Sequence, residues 1–419
     1  MTRAGPNWAR RFIPLWVGQA LSLLGSQLVQ FAIIWYLTQT TQSATTLAVA
    51  SMMGLLPQVI LSPFIGTWVD RGNRRFILII ADSTVAAATL VLAILFALGV
   101  AQVSHIYIVL LIRAIAGGFH QSAFGASVVL LVPKEHLARV QGFNQALYGG
   151  MSIISAPLGA FLLALLPMQG ILAIDIGTAL LAVTIVFFIQ IPQPAREPQT
   201  QGTFWQDFAA GFRYIIAWRG LVILLGLVMV INFFFSAAEP LTPLLITKHF
   251  EGEAQQLGWW LSSFAGGTIL GGLILGAWGG FKRKIVTAQL GLILTGLSTM
   301  IVGLVPSHLF WVGLVANSVV GLLLPIINGS FGATLQATIA PEMQGRAFAF
   351  IMSAAMLVSP LALMIAGPFA DRFGIQPWFL IAGISCLLMG IFGFFSSDVM
   401  TMESRPKEDE TRHVISTSA

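Results

Sequence analysis

Charge is what this sequence has least of. Of 419 residues, 21 are Lys or Arg and 16 are Asp or Glu, so 9% are charged, against about 25% in ordinary soluble domains. A soluble globule of this size cannot cover its surface with so few charges. Cysteine is scarcer still. Cys386 stands alone, which excludes an intrachain disulfide and leaves the redox compartment open. No Lys follows a Gly, so there is no Walker A loop and ATP is excluded as the direct driver. H-E-x-x-H, C-x-x-C and G-x-S-x-G are also missing. An enzyme would find no metal-ligand set and no activated nucleophile here, and nothing in the sequence asks for a cofactor.

Apolar residues are what the sequence has in excess. They make up 57%, with 30 Phe, 11 Trp and 42 Gly, and the mean hydropathy is +0.87. A membrane-spanning helix needs about 20 apolar residues. Runs of that length fall at 12–37, 47–69, 76–98, 105–131, 140–166 and 170–190, then at 220–247, 257–279, 285–305, 308–337, 347–370 and 376–397. Twelve spanning helices are expected, because lipid offers the backbone no other partner. An outer-membrane barrel would alternate polar and apolar residues over short segments. The run after Arg10 and Arg11 is too long for a signal peptide and reads as the first span.

The sparse charges set the topology. With both termini inside, eighteen of the 21 basic residues face the cytoplasm, Lys248 and Arg372 lie outside, and Arg113 lies within a span. That asymmetry is the positive-inside pattern of a cell-membrane protein. It accounts for the net charge of +5 without nucleic-acid binding.

The chain is expected to divide into a six-helix half at 1–190, a linker at 191–219, a second six-helix half at 220–397 and a tail at 398–419. The linker opens on Pro192, Pro194 and Pro198. It continues with Phe204, Phe208 and Phe212 beside Trp205, Tyr214 and Trp218, the pattern of an amphipathic helix lying on the inner leaflet. The tail from Glu403 is polar and expected to be disordered. The halves repeat. Phe124-Gly125-Ala126 returns as Phe331-Gly332-Ala333. Gly66-x-Trp68 before a basic cluster returns as Gly276-x-Trp278 before Lys282, Arg283 and Lys284. Ordered matches at nearly the same offset, 207 and 210 residues, indicate a duplicated unit.

Two such halves form the plan of the major facilitator superfamily, and the residues carry the resemblance further. Gly66-Thr-Trp-Val-Asp70-Arg71-Gly-Asn-Arg74-Arg75 resembles that superfamily's G-x-L-a-D-R-x-G-R-K motif, with Asn73 in place of the family's Gly. The resemblance implies a conformational latch made by Gly66, Asp70, Arg71, Arg74 and Arg75, in which Asp70 pairs with the arginines and caps a neighbouring helix. Gly72 and Asn73 are expected to supply the left-handed turn. Trp16-x-Gly18-Gln19-Ala20, Ile112-Arg113-x-Ile115, Phe119-His120, Ala173-Ile174-Asp175 and Trp378-Phe379-Leu380 resemble the macrolide-efflux branch.

Charges inside spans cost about 2.5–3.5 kcal/mol each on insertion scales and mark functional candidates. They are Asp82, Arg113, Asp175 and Glu239. Arg113-x-x-x-Gly117 resembles the family's fourth-helix motif, and either proton transfer or a structural ion pair fits it. Asp82 fits a cavity or an interfacial hydrogen bond. Asp175 fits a relay or an inexpensive interfacial acid. Glu239 lies among Phe233, Phe234, Phe235 and Leu241, a setting for a proton carrier. Pro240 and Pro243 beside it are expected to break the helix. His120 fits a proton shuttle or a packing residue. Gln19, Gln27, Gln30, Asn232, Asn328 and Gln336 are the candidate polar lining of a substrate cavity. Overlapping G-x-x-x-G pairs from Gly267 to Gly280 are expected to let helices pack closely within the second half.

The expected function is export of small hydrophobic drugs, macrolides first, by a monomeric proton antiporter in the lipid bilayer. A proton arriving from outside would neutralise Glu239 or Asp175. A same-fold exporter of siderophores, lipids or metabolites, or a non-transporting receptor, are the alternatives.

Overall fold

The computed structural model describes residues 8–193 and 204–402. Six long helices come first: α1 (Trp8–Thr41), α2 (Ala44–Arg71), α3 (Arg74–Ala97), α4 (Val103–Leu131), α5 (Lys134–Leu165) and α6 (Met168–Phe188). A shorter helix, α7 (Phe204–Ile216), precedes a second six: α8 (Arg219–Leu244), α9 (Ala254–Trp278), α10 (Lys284–Leu304), α11 (Phe310–Thr338), α12 (Pro341–Phe373) and α13 (Gln376–Phe395). A last turn, α14 (Ser397–Met400), follows. Twelve of these helices are long and apolar enough to cross a membrane. Several exceed the roughly 20 residues a bilayer core requires, which implies tilt or extension beyond it.

The repeat read in the sequence is a repeat of packing. Val103 and Phe310 open α4 and α11, and Lys134 and Pro341 open α5 and α12. Helix α3 packs against α4 and α6, as α10 does against α11 and α13. Helix α1 packs against α5 and α6, as α8 does against α12 and α13. Two compact units result. One holds the described residues of Met1–Gln199 with Gly252–Ser262, and the other those of Thr200–Glu251 with Ser263–Ala419.

The linker helix differs from expectation. Helix α7 packs on α12, and the side chains of Tyr214, Ile215 and Trp218 are buried in the core of the second unit. Tyr214 Oη accepts from the Ala340 N–H at 3.3 Å. Its apolar face is therefore covered by protein at these positions, and Phe212 stays exposed beside Phe350. The same core continues past residue 397, since Val399 and Met402 are buried in it. The polar tail from Glu403 lies outside the described residues.

Close packing of α9 and α11 rests on glycine. A Cβ at Gly271 would overlap the Leu322 carbonyl, and one at Gly321 would overlap the Phe264 carbonyl. Gly272 and Gly276 face open space. We expect Gly271→Leu to destabilise the purified protein by about 1–3 kcal/mol or more, through overpacking. Gly272→Leu should leave its melting temperature nearly unchanged. Equal effects of the two would contradict this packing.

The α2–α3 turn is tighter than its glycine and asparagine suggested. Gly72 and Asn73 have φ of −90° and −77°, so neither is left-handed. Glycine is required here for space. A Cβ at Gly72 would meet Ile77 Cδ1 at 2.8 Å and the Trp68 carbonyl at 2.9 Å. Asn73 caps α3, its side chain accepting from the Phe76 N–H at 3.3 Å.

Candidate functional site

Three helices of the first unit each carry two polar residues seven positions apart. They are Gln19 and Ser26 on α1, Asp82 and Thr89 on α3, and Arg113 and His120 on α4. Seven residues are almost two helical turns, so each pair shares one face, about 10.5 Å apart along the axis. Packing of α1, α3 and α4 stacks these pairs into two polar layers in an otherwise apolar bundle.

The first layer closes around Asp175. Arg113 Nη1 lies 2.5 Å from Asp175 Oδ2, with Asp175 brought in by α6. Ser26 Oγ donates to Asp175 Oδ1 at 3.1 Å. Thr89 Oγ1 lies 3.1 Å from Asp175 Oδ2 and accepts from Arg113 Nη1. The Asp175 side chain is 0% exposed and that of Arg113 is 10% exposed. A carboxylate beside a guanidinium and two hydroxyls has its charge balanced and hydrogen-bond partners at both oxygens, the condition for burying an ion pair. Of the two readings of Asp175, the interfacial acid does not fit this sealed position, because α6 turns it toward α1, α3 and α4. Ser26 and Thr89 were not singled out from the sequence. The seven-residue spacing on three spans is the signal that would have found them.

The second layer is open. Gln19 Nε2 donates to Asp82 Oδ2 at 3.0 Å. Gln19 Oε1 lies 2.6 Å from His120 Nε2, which is itself 3.5 Å from Asp82 Oδ1. The His120 ring is stacked on Phe124, with centroids 6.1 Å apart. A cavity of about 520 Å³ within the first unit is bordered by Asp82, Arg113 and His120, by Gln27 and Gln30, and by the rings of Trp16 and Tyr148. Asp175 does not border it. Trp16 is held in place by its Nε1–H, which donates to Asn144 Oδ1 at 2.6 Å.

Among the described residues of the second unit, the charged members of these layers are not repeated. At the corresponding repeat positions stand Leu292 on α10, Val320 on α11 and Gly383 on α13. Asn232 Nδ2 donates to the Val228 carbonyl of its own helix at 2.9 Å, and Asn328 and Gln336 are exposed. Glu239 is also exposed, with no ion pair or hydrogen bond among the described residues. Pro240 and Pro243 do not break α8, which runs on to Leu244 and then widens into a π-helix at Leu245–His249.

The motif after α2 fastens helices of its own unit. Asp70 Oδ1 is 3.5 Å from Arg74 Nη2. Arg74 Nη1 donates to the Ala126 carbonyl at 3.4 Å. Arg75 Nε donates to the Val186 carbonyl at 3.2 Å, and its Nη2 donates to Phe187. These last two carbonyls belong to the final turn of α6, where helical partners run out and positive charge is favourable. The expected cap on a helix N-terminus by Asp70 is thus a cap on a helix C-terminus by Arg75. Arg71 is exposed, and Gly66 has open space around it.

Comparison with known proteins agrees with this architecture. The family model described as Major Facilitator Superfamily matches residues 15–238 and 224–418. Macrolide efflux protein A of Streptococcus pyogenes is 35% identical over 386 residues, covering 92% of this chain and 95% of the relative. Multidrug efflux pump Tap of Mycobacterium tuberculosis is 24% identical over 391 residues, covering 91% and 92%. Among solved structures, the nucleoside transporter NupG superposes with a TM-score of 0.73 at 12% identity, covering 92% of this chain and 99% of that one, a likeness of fold alone. The chain belongs to the major facilitator superfamily, as a macrolide-efflux-like transporter.

Proposed function

We propose that this protein exports hydrophobic drugs, macrolides first among them, by proton antiport with alternating access, and that Asp82 and His120 carry the proton. The observation that supports this most is the contrast between the two layers. The Asp175 carboxylate is enclosed by Arg113, Ser26 and Thr89 and does not border the cavity. Asp82 faces a neutral amide and an imidazole at the edge of that cavity, so it has a route to water and a neighbour able to take up or give up a proton. Arg113 and Asp175 then serve as a fixed internal pair. Population shift requires the proton and the drug to favour different conformations. A carboxylate on the wall of a drug-sized cavity lets each respond to the other. The cavity also suits a bulky amphiphile, with aromatic rings and a few convergent polar groups. We read the transporter as a monomer in the cell membrane; the positive-inside pattern supports cytoplasmic termini.

Expression in an exporter-deficient bacterial host tests this reading. Macrolide concentrations that stop growth should rise, and collapsing the proton gradient should erase the rise. Unchanged susceptibility to every macrolide would overturn the drug assignment.

A further inference from the structure

Gln19 stood among the candidates for lining a substrate cavity. Its side chain is buried, and both ends of its amide are spent on titratable neighbours. The Nε2 end reaches Asp82 and the Oε1 end reaches His120. We propose that Gln19 is a positioning residue that makes Asp82 and His120 hold a single proton between them, so that the pair titrates as one unit. This rests on the proton-coupled reading above and names the group that organises its site.

The mechanism follows from the donors and acceptors of an amide. With Asp82 ionised, the Gln19 NH₂ donates to it, and the Gln19 carbonyl requires a hydrogen from His120 Nε2. When a proton arrives on Asp82, the carboxyl becomes a donor. A half-turn of the amide then presents its carbonyl to the Asp82 O–H and its NH₂ to His120 Nε2, which must now be the acceptor, with the imidazole hydrogen on Nδ1. Net, one proton enters: the His120 Nε2–H bond breaks and its proton goes to Asp82, 3.5 Å away, forming the O–H bond, while the incoming proton bonds to Nδ1. An amide left in the old orientation would set its N–H against the Asp82 O–H and its carbonyl oxygen against the bare His120 Nε2 in a buried site, where unsatisfied polar groups are costly. The state of Asp82 is thereby transmitted to the imidazole on the cavity wall.

The surroundings keep this exchange to the two groups. Helix α1 brings no titratable side chain to Asp82. From α4 come His120 and, one layer away, Arg113. From α6 comes Asp175, already bound to Arg113. On α2 the titratable groups are Asp70 and Arg71, in its last turn, and Arg74 and Arg75 open α3 two turns before Asp82.

The test uses the full-length protein, purified and titrated by infrared difference spectroscopy, with the carboxyl band assigned by its loss in Asp82→Asn. Gln19→Met has similar length without hydrogen-bonding groups, and Gln19→Asn is too short to span both neighbours. Each should move the titration midpoint of the band to higher pH by about one to two units, the worth of one donor to a charged acceptor. His120→Gln should move the band in the wild-type background and have little effect when combined with Gln19→Met, as expected for residues coupled through a shared partner. Melting temperatures measured in parallel identify a variant that merely unfolds, in which case the other one decides. A Gln19 variant that is folded and titrates like the wild type would overturn the proposal. So would a His120→Gln shift of equal size in both backgrounds. The readout does not depend on transport. If the band shifts as expected while a pH gradient drives no drug flux, the role of Gln19 stands and the antiport reading fails.

Discussion

Asp82→Asn should abolish gradient-driven drug export while leaving drug-for-drug exchange intact. Asparagine keeps the shape and the hydrogen-bond acceptor that Gln19 Nε2 addresses, but it cannot gain or lose the proton. An exchanger frozen in the neutral form still cycles with drug on both sides, because no net proton movement is needed. Net uptake against a gradient requires the proton to leave, and removing a group from a proton-transfer step costs at least about a hundredfold. Proteoliposomes loaded with cold macrolide report exchange, and an imposed pH gradient reports drive. Loss of both in a folded variant would make Asp82 structural. Retention of both would move the proton elsewhere, and exposed Glu239 would be examined next by Glu239→Gln.

The second large effect belongs to the closed layer, and it is an effect on folding. Arg113→Leu leaves the Asp175 carboxyl fully buried and without its cation. Breaking a buried pair by removing one partner costs about 3–5 kcal/mol, a large part of the roughly 5–15 kcal/mol that holds a typical protein folded. The variant should express poorly and melt far below the wild type. Combining it with Asp175→Leu removes both charges and should recover much of the loss, since apolar residues often replace a buried pair without penalty. Size-exclusion profiles and melting temperatures of the three variants check this. If the single variant is as stable as the wild type but cannot couple transport to protons, Arg113 belongs to the proton pathway instead.

The contrast between these two outcomes is what the sequence could not supply. The twelve spans were legible because each is long, apolar and nearly free of charge. Asp82, Arg113, Asp175 and His120 were legible as groups that the bilayer penalises. Their partners were not, because the choice of Arg113 by Asp175 and of Gln19 by Asp82 is made by how α1, α3, α4 and α6 pack, across separations of 62 and 63 residues. Ser26 and Thr89 escaped attention because hydroxyls are inexpensive in a helix and draw no notice alone. At Gly72 the composition pointed to a left-handed turn, whereas the constraint is space against Ile77 and the Trp68 carbonyl.

The central claim is that drug and proton move in opposite directions through this protein, and lumenal pH tests it most directly. Proteoliposomes with equal pH on both sides enclose a pH-sensitive dye, and macrolide is added outside. Wild-type protein should make the lumen alkaline as drug enters and protons leave, beyond the small change seen in protein-free liposomes, and Asp82→Asn should reduce the signal to that background. Drug entry through the wild-type protein with no lumenal pH change beyond the background would contradict the account.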